Sequence, residues 1–187
     1  MKILVDMDDV LEPLAEHLCV ELNARHGTAV QRDDLTSWDI EQFFPSLTIE
    51  QIFAPLHEPD FWMAMEPKEG AARALKTLVE YGHTVRVVTA SHPGTVKAKM
   101  DWLLNAYPCL KWEDVIIATD KSLILGDVII DDGVHNLESS KCPIKILFDA
   151  PHNRNYDARA NRMVRAANWA DVMFYLSVLD EYGLCVL

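Results

Sequence analysis

Four short segments of the chain end in residues suited to holding a cation and a phosphoryl group. Asp6 and Asp8 stand two apart in DMDD, Thr89-Ala90-Ser91 follows TVRVV, Thr119-Asp120-Lys121 follows VIIA, and Asp131-Asp132 follows VII. Two carboxylates confined to one small volume cannot both stay ionised without a cation. A hard cation such as Mg²⁺ takes carboxylate oxygens and water, while a phosphoryl group needs that cation, N–H donors, a hydroxyl and a fixed positive charge. Asp6, Asp8, Asp131 and Asp132 supply the oxygens, Thr89 and Ala90 the hydroxyl and amides, and Lys121 the charge. Singly, each feature is ordinary, since Asp-x-Asp is usually a solvated turn or a helix cap and lysine is usually at the surface. Only a fold that gathers several chain segments at one place makes them a site.

The elements around these residues supply such a fold. Lys2–Val5, Thr84–Val88, Val115–Ala118, Val128–Ile130 and Ile144–Phe148 are short apolar runs that stop abruptly at polar residues, as strands buried on both faces do. Between them lie helical patterns, Gly70–Tyr81 with Ala71, Ala74, Leu75 and Leu78 on one face, and Gly94–Ala106 with Val96, Met100, Leu103 and Leu104. Alternating strands and helices predict an α/β, Rossmann-like parallel sheet flanked by helices, with its ligand crevice at the C-terminal ends of the strands. Residues 13–65 break the rhythm with helical spacing at Leu14, Leu18 and Leu22, a capped start at Thr48–Gln51 and a cluster of aromatics. They read as a small helical cap inserted after the first strand, over a core of residues 1–12 and 66–187, with Glu66-Pro67 as the return hinge. The tail, Tyr156–Leu187, reads as a helix closing one flank, with Trp169 packed.

Composition narrows the partners. Of 187 residues, half are hydrophobic and a quarter charged, which suits a packed globule, and the net charge of -12 repels nucleic-acid polymers and anionic membranes. An anionic substrate must then meet a local cation. Cys19, Cys109, Cys142 and Cys185 are scattered without metal-binding spacing and read as reduced thiols. An acidic run within the first ten residues and the lack of a long apolar run predict no signal peptide, no membrane span and a cytoplasmic protein.

The order Asp-x-Asp, Thr, Lys, Asp-Asp resembles the four-motif pattern of the haloacid dehalogenase (HAD) superfamily of phosphohydrolases, over residues 1–12 and 66–149. Within it, DMDDVL, FWMAMEP, the TDK before GDVIIDD, and ILFDAPHNR resemble the 5'(3')-deoxyribonucleotidases, magnesium-dependent nucleotide phosphatases with a helical cap. The resemblance implies Asp6 as nucleophile, forming an aspartyl-phosphate. It makes Asp8 the general acid and base, whose backbone carbonyl also binds the metal, and Thr89, Ala90 and Lys121 the phosphate site. Asp132 becomes the direct Mg²⁺ ligand, with Asp131 behind it. The implied partner is a nucleoside monophosphate, a second copy of the chain being left open. In the cap, Trp38 and Phe61 are the candidates to line the cavity against a base. His152 and Asn153 read as a loop brace, and Asp127 as a turn residue. Three positions depart from the pattern: Asp9 where glycine is common, Ala90 where a serine is expected, and Gly133 where the mammalian enzymes carry a basic residue. Two alternatives remain, a phosphatase for another small ester such as a sugar phosphate, and a receiver-like phospho-acceptor module. Lys121 preceding the acidic pair speaks against the receiver, whose lysine comes last.

Overall fold

In the computed structural model, which describes residues 1–182, the five apolar runs are five parallel strands: β1 (Lys2–Val5), β2 (Thr84–Thr89), β3 (Val115–Ile117), β4 (Val128–Asp131) and β5 (Ile144–Phe148). A sixth, β6 (Val164–Ala166), pairs in parallel with β5, which corrects the reading of the whole tail as helix. Three residues containing an arginine make too short and mixed a run to announce a strand. The helix of the tail begins only at Trp169, and Cys185 lies outside the described residues.

The sheet order is β3-β2-β1-β4-β5-β6, so β1 lies between β2 and β4, and the chain winds outward on either side of it. That reversal opens a crevice beyond the carboxyl ends of β1 and β4. Register does the rest, since Val5 sits opposite both Val87 and Ile130. Asp6, Thr89 and the Asp131-Asp132 pair therefore emerge together.

One face of the sheet is covered by α4 (Ala71–Glu80), α5 (Val96–Ala106) and α7 (Trp169–Tyr182), whose buried residues join Ile3, Val5, Val85, Val87, Ile130 and Ile146 in the main core. The helix α6 (Val134–Ser139) covers the other face, Leu137 packing with Leu4, Val88, Ile129 and Leu147.

Residues 13–65 hold α1 (Leu14–His26), α2 (Ile49–Phe53), α3 (Pro59–Met63) and three 3-10 turns, Arg32–Asp34, Ile40–Phe43 and Ala54–His57. A capping box starts α2, with Thr48 Oγ1 accepting from Gln51 N–H and Gln51 Oε1 accepting from Thr48 N–H. Buried aromatic donors fasten both ends of this segment. Trp169 Nε1 donates to Val10 O (2.9 Å), Tyr107 Oη to Leu11 O (2.7 Å) and Trp102 Nε1 to Met65 O (2.9 Å). Each ties the loop beyond β1, or the chain's return, to a core helix or its edge. Cys19, Cys109 and Cys142 are free thiols. Among the described residues, no helix is long and apolar enough to cross a membrane.

Candidate active site

The site grows from the β1–β4 ladder. Asp6 N–H donates to Ile130 O at 2.9 Å, carrying the pairing one residue past β1 and setting the Asp6 carboxyl beside the end of β4. Lys121, in a 3-10 turn over Lys121–Leu123, reaches in from the β3 side and places Nζ 2.6 Å from Asp6 Oδ1 and 2.6 Å from Asp131 Oδ2. Oxygens of Asp6, Asp131 and Asp132 lie within 4.8 Å of one another, all three residues buried.

Their hydrogen bonds separate the two adjacent aspartates. Asp131 is saturated, with Oδ2 on Lys121 and Oδ1 accepting from Gly133 N–H (2.8 Å) and Asn136 Nδ2 (3.0 Å). Asp132 Oδ1 is buried without a hydrogen-bond partner among the described residues, while Oδ2 faces His152 Nε2 at 3.5 Å. A buried bare carboxylate oxygen is costly until a cation or proton meets it. The donor set, carboxylate oxygens with one left bare, fits a hard divalent cation such as Mg²⁺. Gly133 follows from the same packing, because a Cβ there would come within 2.8 Å of Asn136 Nδ2 and 3.0 Å of Asp131 Oδ1.

Asp8 lines the same cavity but is held by a different lysine. Its Oδ2 is 2.6 Å from Lys99 Nζ, and its Oδ1 is buried without a donor near Glu12, whose two oxygens are likewise buried and unbonded among the described residues. Asp9 sits in the left-handed region at φ 56°, where glycine is favoured. Its carboxylate caps α1 by accepting from Ala15 N–H at 3.2 Å. A glycine there would lose that cap.

Crowding perturbs the acids strongly. Burial pushes the Asp6 carboxyl up to about 7, against the pull of Lys121 and with Asp131 and Asp8 adding to the rise. Burial pushes Asp9 up to about 6, opposed by Lys68 and Arg32. Asp132 and Glu12 are held well above the usual carboxylate range, first by burial and then by neighbouring carboxylates. Burial alone would lower Lys121, but Asp6 and Asp131 outweigh it and hold the ammonium above its usual range.

These groups floor a cavity of about 330 Å³ lined by Asp6, Asp8, Asp132, Lys121 and Ala90. From residues 13–65 its wall takes Leu14, Leu18, Leu35, Ile40, Phe53 and Leu56, with Trp38 and Arg32. Trp38 is 57% exposed and stands edge-on to His135 (4.7 Å between centroids) and His152 (5.1 Å). Two expectations need correction. Phe61 is absent from the wall; it is buried in the core, packed on His17 and Trp62, because it faces inward from α3. Thr89 does not turn its hydroxyl to the cavity either, since Oγ1 donates to Ala90 O at 3.2 Å and the side chain is fully buried. Thr119, at the end of β3, lines the cavity. Asn153 braces the loop, donating from Nδ2 to Asp132 O (2.9 Å) and Phe148 O (2.8 Å). Sequence reasoning missed Lys99, Glu12, Arg32 and Asn136. Lys99 carried one usable signal, its place among Met100, Leu103 and Leu104 on a helix otherwise buried on that side.

A six-stranded parallel sheet with a lysine and three buried aspartates at its switch point defines a phosphohydrolase of the HAD superfamily. Solved structures agree on the fold. A HAD family hydrolase from Deinococcus radiodurans R1 matches with a TM-score of 0.61 at 16% identity, covering 99% of this chain and 97% of that one. A putative beta-phosphoglucomutase from Thermotoga maritima matches at 0.58 and 13%, covering 97% and 99%. The family follows from sequence. Residues 1–179 match the family model of the 5' nucleotidase, deoxy (Pyrimidine), cytosolic type C proteins, and the chain belongs to that family of phosphoric monoester hydrolases. The 5'(3')-deoxyribonucleotidase of Bacillus subtilis (strain 168) is 35% identical over 171 residues, 91% of this chain and 95% of the relative. That of Clostridium acetobutylicum is 29% identical over 178 residues, 95% and 96% of the two chains.

Proposed function

We propose that this chain is a Mg²⁺-dependent phosphatase that hydrolyses 5'(3')-deoxyribonucleoside monophosphates through an aspartyl-phosphate on Asp6. The observation that carries this reading is the buried set of Asp6, Lys121 and the half-bonded Asp132 on the floor of one cavity, with Asp131 behind them. Asp6 and Asp132, with the Asp8 backbone carbonyl, would hold the cation. Bound there, Mg²⁺ neutralises phosphoryl oxygens and the carboxylates around them.

This chain's own residues then carry the reaction. Lys121 holds one oxygen of Asp6 and leaves the other free to attack phosphorus. As that bond forms, the bond from phosphorus to the ester oxygen breaks, and Asp8 gives the departing oxygen its proton. Asp8, now a carboxylate, takes a proton from water. The water oxygen attacks phosphorus, the bond to Asp6 breaks, and inorganic phosphate leaves. Amides around Ala90 and the Lys121 ammonium would receive the phosphoryl oxygens.

Residues 13–65 act in this reading as a cap that selects the leaving group. Their apolar wall, with the Trp38 indole at its edge, suits a planar base better than the hydroxyl-rich ring of a sugar phosphate. The three described cysteines are free thiols, in keeping with a reducing cytoplasm. Phosphate release from a panel of deoxy- and ribonucleoside monophosphates and sugar phosphates, with magnesium and with EDTA, tests the reading. Deoxynucleotides turned over with magnesium alone are expected. Preferred turnover of sugar phosphates contradicts it.

A further inference from the structure

Besides Lys121, one other lysine is buried at the site, and nothing in the proposed cycle uses it. Lys99 lies on α5 at 2% exposure, and its Nζ is 2.6 Å from Asp8 Oδ2 and donates to Ala90 O at 3.0 Å. It does not line the cavity and so would not touch a substrate there. We infer that Lys99 is a positioning residue for Asp8, a fixed charge behind the cavity that orients the Asp8 carboxyl and stabilises the carboxylate left when its proton passes to the leaving oxygen. The inference rests on the phosphatase reading above.

Three observations carry it. The packing of α5 has no use for a charge, because Met100, Trp102 and Leu103 around Lys99 are buried apolar groups and a methionine would fill a similar volume. Burying an ammonium is costly unless it is paired, and its partners are Asp8 and a carbonyl, with the Trp62 ring 5.6 Å away. The same ammonium ties the turn after β1, which carries Asp8, to the end of β2, which carries Ala90. Finally, Lys99 is the one basic side chain bonded to Asp8 among the described residues. Lys99 Nζ stands against the carboxyl on which that charge appears, and a preorganised cation matters most where charge develops.

A role exercised through proton donation depends on the leaving group. A nucleoside alkoxide cannot depart without a proton, whereas p-nitrophenolate can. The test compares kcat/KM for a deoxynucleoside monophosphate and for p-nitrophenyl phosphate, in the wild type and in Lys99→Met. The expected result is a loss on the nucleotide about 10- to 100-fold larger than on the aryl ester, with the magnesium-induced rise in Tm retained. Lys99→Gln, which keeps a donor and removes the charge, is expected to show the same selective loss. Parallel losses on both esters, a nucleotide loss under about threefold, or failure of both variants to fold overturns the inference. A wild type inactive on both esters instead removes the phosphatase reading, so the two failures are distinguishable.

Discussion

Asp131 and Asp132 are neighbours in sequence, yet exchanging either for asparagine should move metal-free stability in opposite directions. Ionised Asp132 within 4.8 Å of Asp6 costs about 3 kcal/mol at an effective dielectric of about 20. Protonation limits that cost, so Asp132→Asn should stabilise the metal-free protein by about 1–2 kcal/mol, or roughly 2–8 °C in Tm for a chain of this length. Asp131 is bonded through both oxygens and pairs with Lys121. Asp131→Asn leaves a buried ammonium short of one partner, at a cost of about 3 kcal/mol, or roughly 6–12 °C. Magnesium adds the second axis. At about one hundred times Kd it stabilises wild type by about 2.7 kcal/mol, or roughly 5–11 °C, and Asp132→Asn should lose most of that response because the amide that replaces the carboxylate carries no negative charge to hold the cation. Differential scanning calorimetry in EDTA and in magnesium reads both axes. The reasoning is refuted if Asp132→Asn keeps the full magnesium shift, or if Asp131→Asn is the more stable variant without metal.

Two further outcomes follow from the site. Asp6 is raised to about 7 against an unfolded value near 3.9, so the folded metal-free protein binds more protons, and this contribution to stability, full below about 3.9, is lost as pH rises through 7. The Tm difference between magnesium and EDTA should therefore grow from pH 5 to pH 8 as metal displaces fewer protons, and a flat difference contradicts it. Trp38→Ala should lower kcat/KM on pyrimidine deoxynucleotides by roughly 10- to 100-fold with little loss on p-nitrophenyl phosphate, whereas Phe61→Ala, emptying a core position, should lower Tm and spare the ratio of the two substrates.

The strands that carry the chemistry were legible because each is an apolar run broken by a polar stop, a pattern that burial on both faces enforces. β6 was not legible, being three residues with an arginine at the centre whose side chain turns to Asp149 and Asn153. Residue type and order singled out Asp6, Lys121, Asp131 and Asp132, which the fold brings together, but side-chain direction lay beyond the sequence. Thr89 Oγ1 bonds the next carbonyl, and Phe61 faces inward from a helix too short to show a periodicity. Lys99 and Glu12 escaped notice because they lie behind the motif residues, and a buried charge betrays itself only once its partner's position is known.

The central claim is that phosphate passes through Asp6, and trapping it there tests the claim most directly. Enzyme mixed with a ³²P-labelled deoxynucleotide and magnesium, quenched in acid within the first turnover and digested, should carry label on the peptide containing Asp6. Borohydride reduction should convert that residue to homoserine. Asp6→Asn should carry none and release no phosphate. Label on another residue, or phosphate release by Asp6→Asn within tenfold of wild type, contradicts the account.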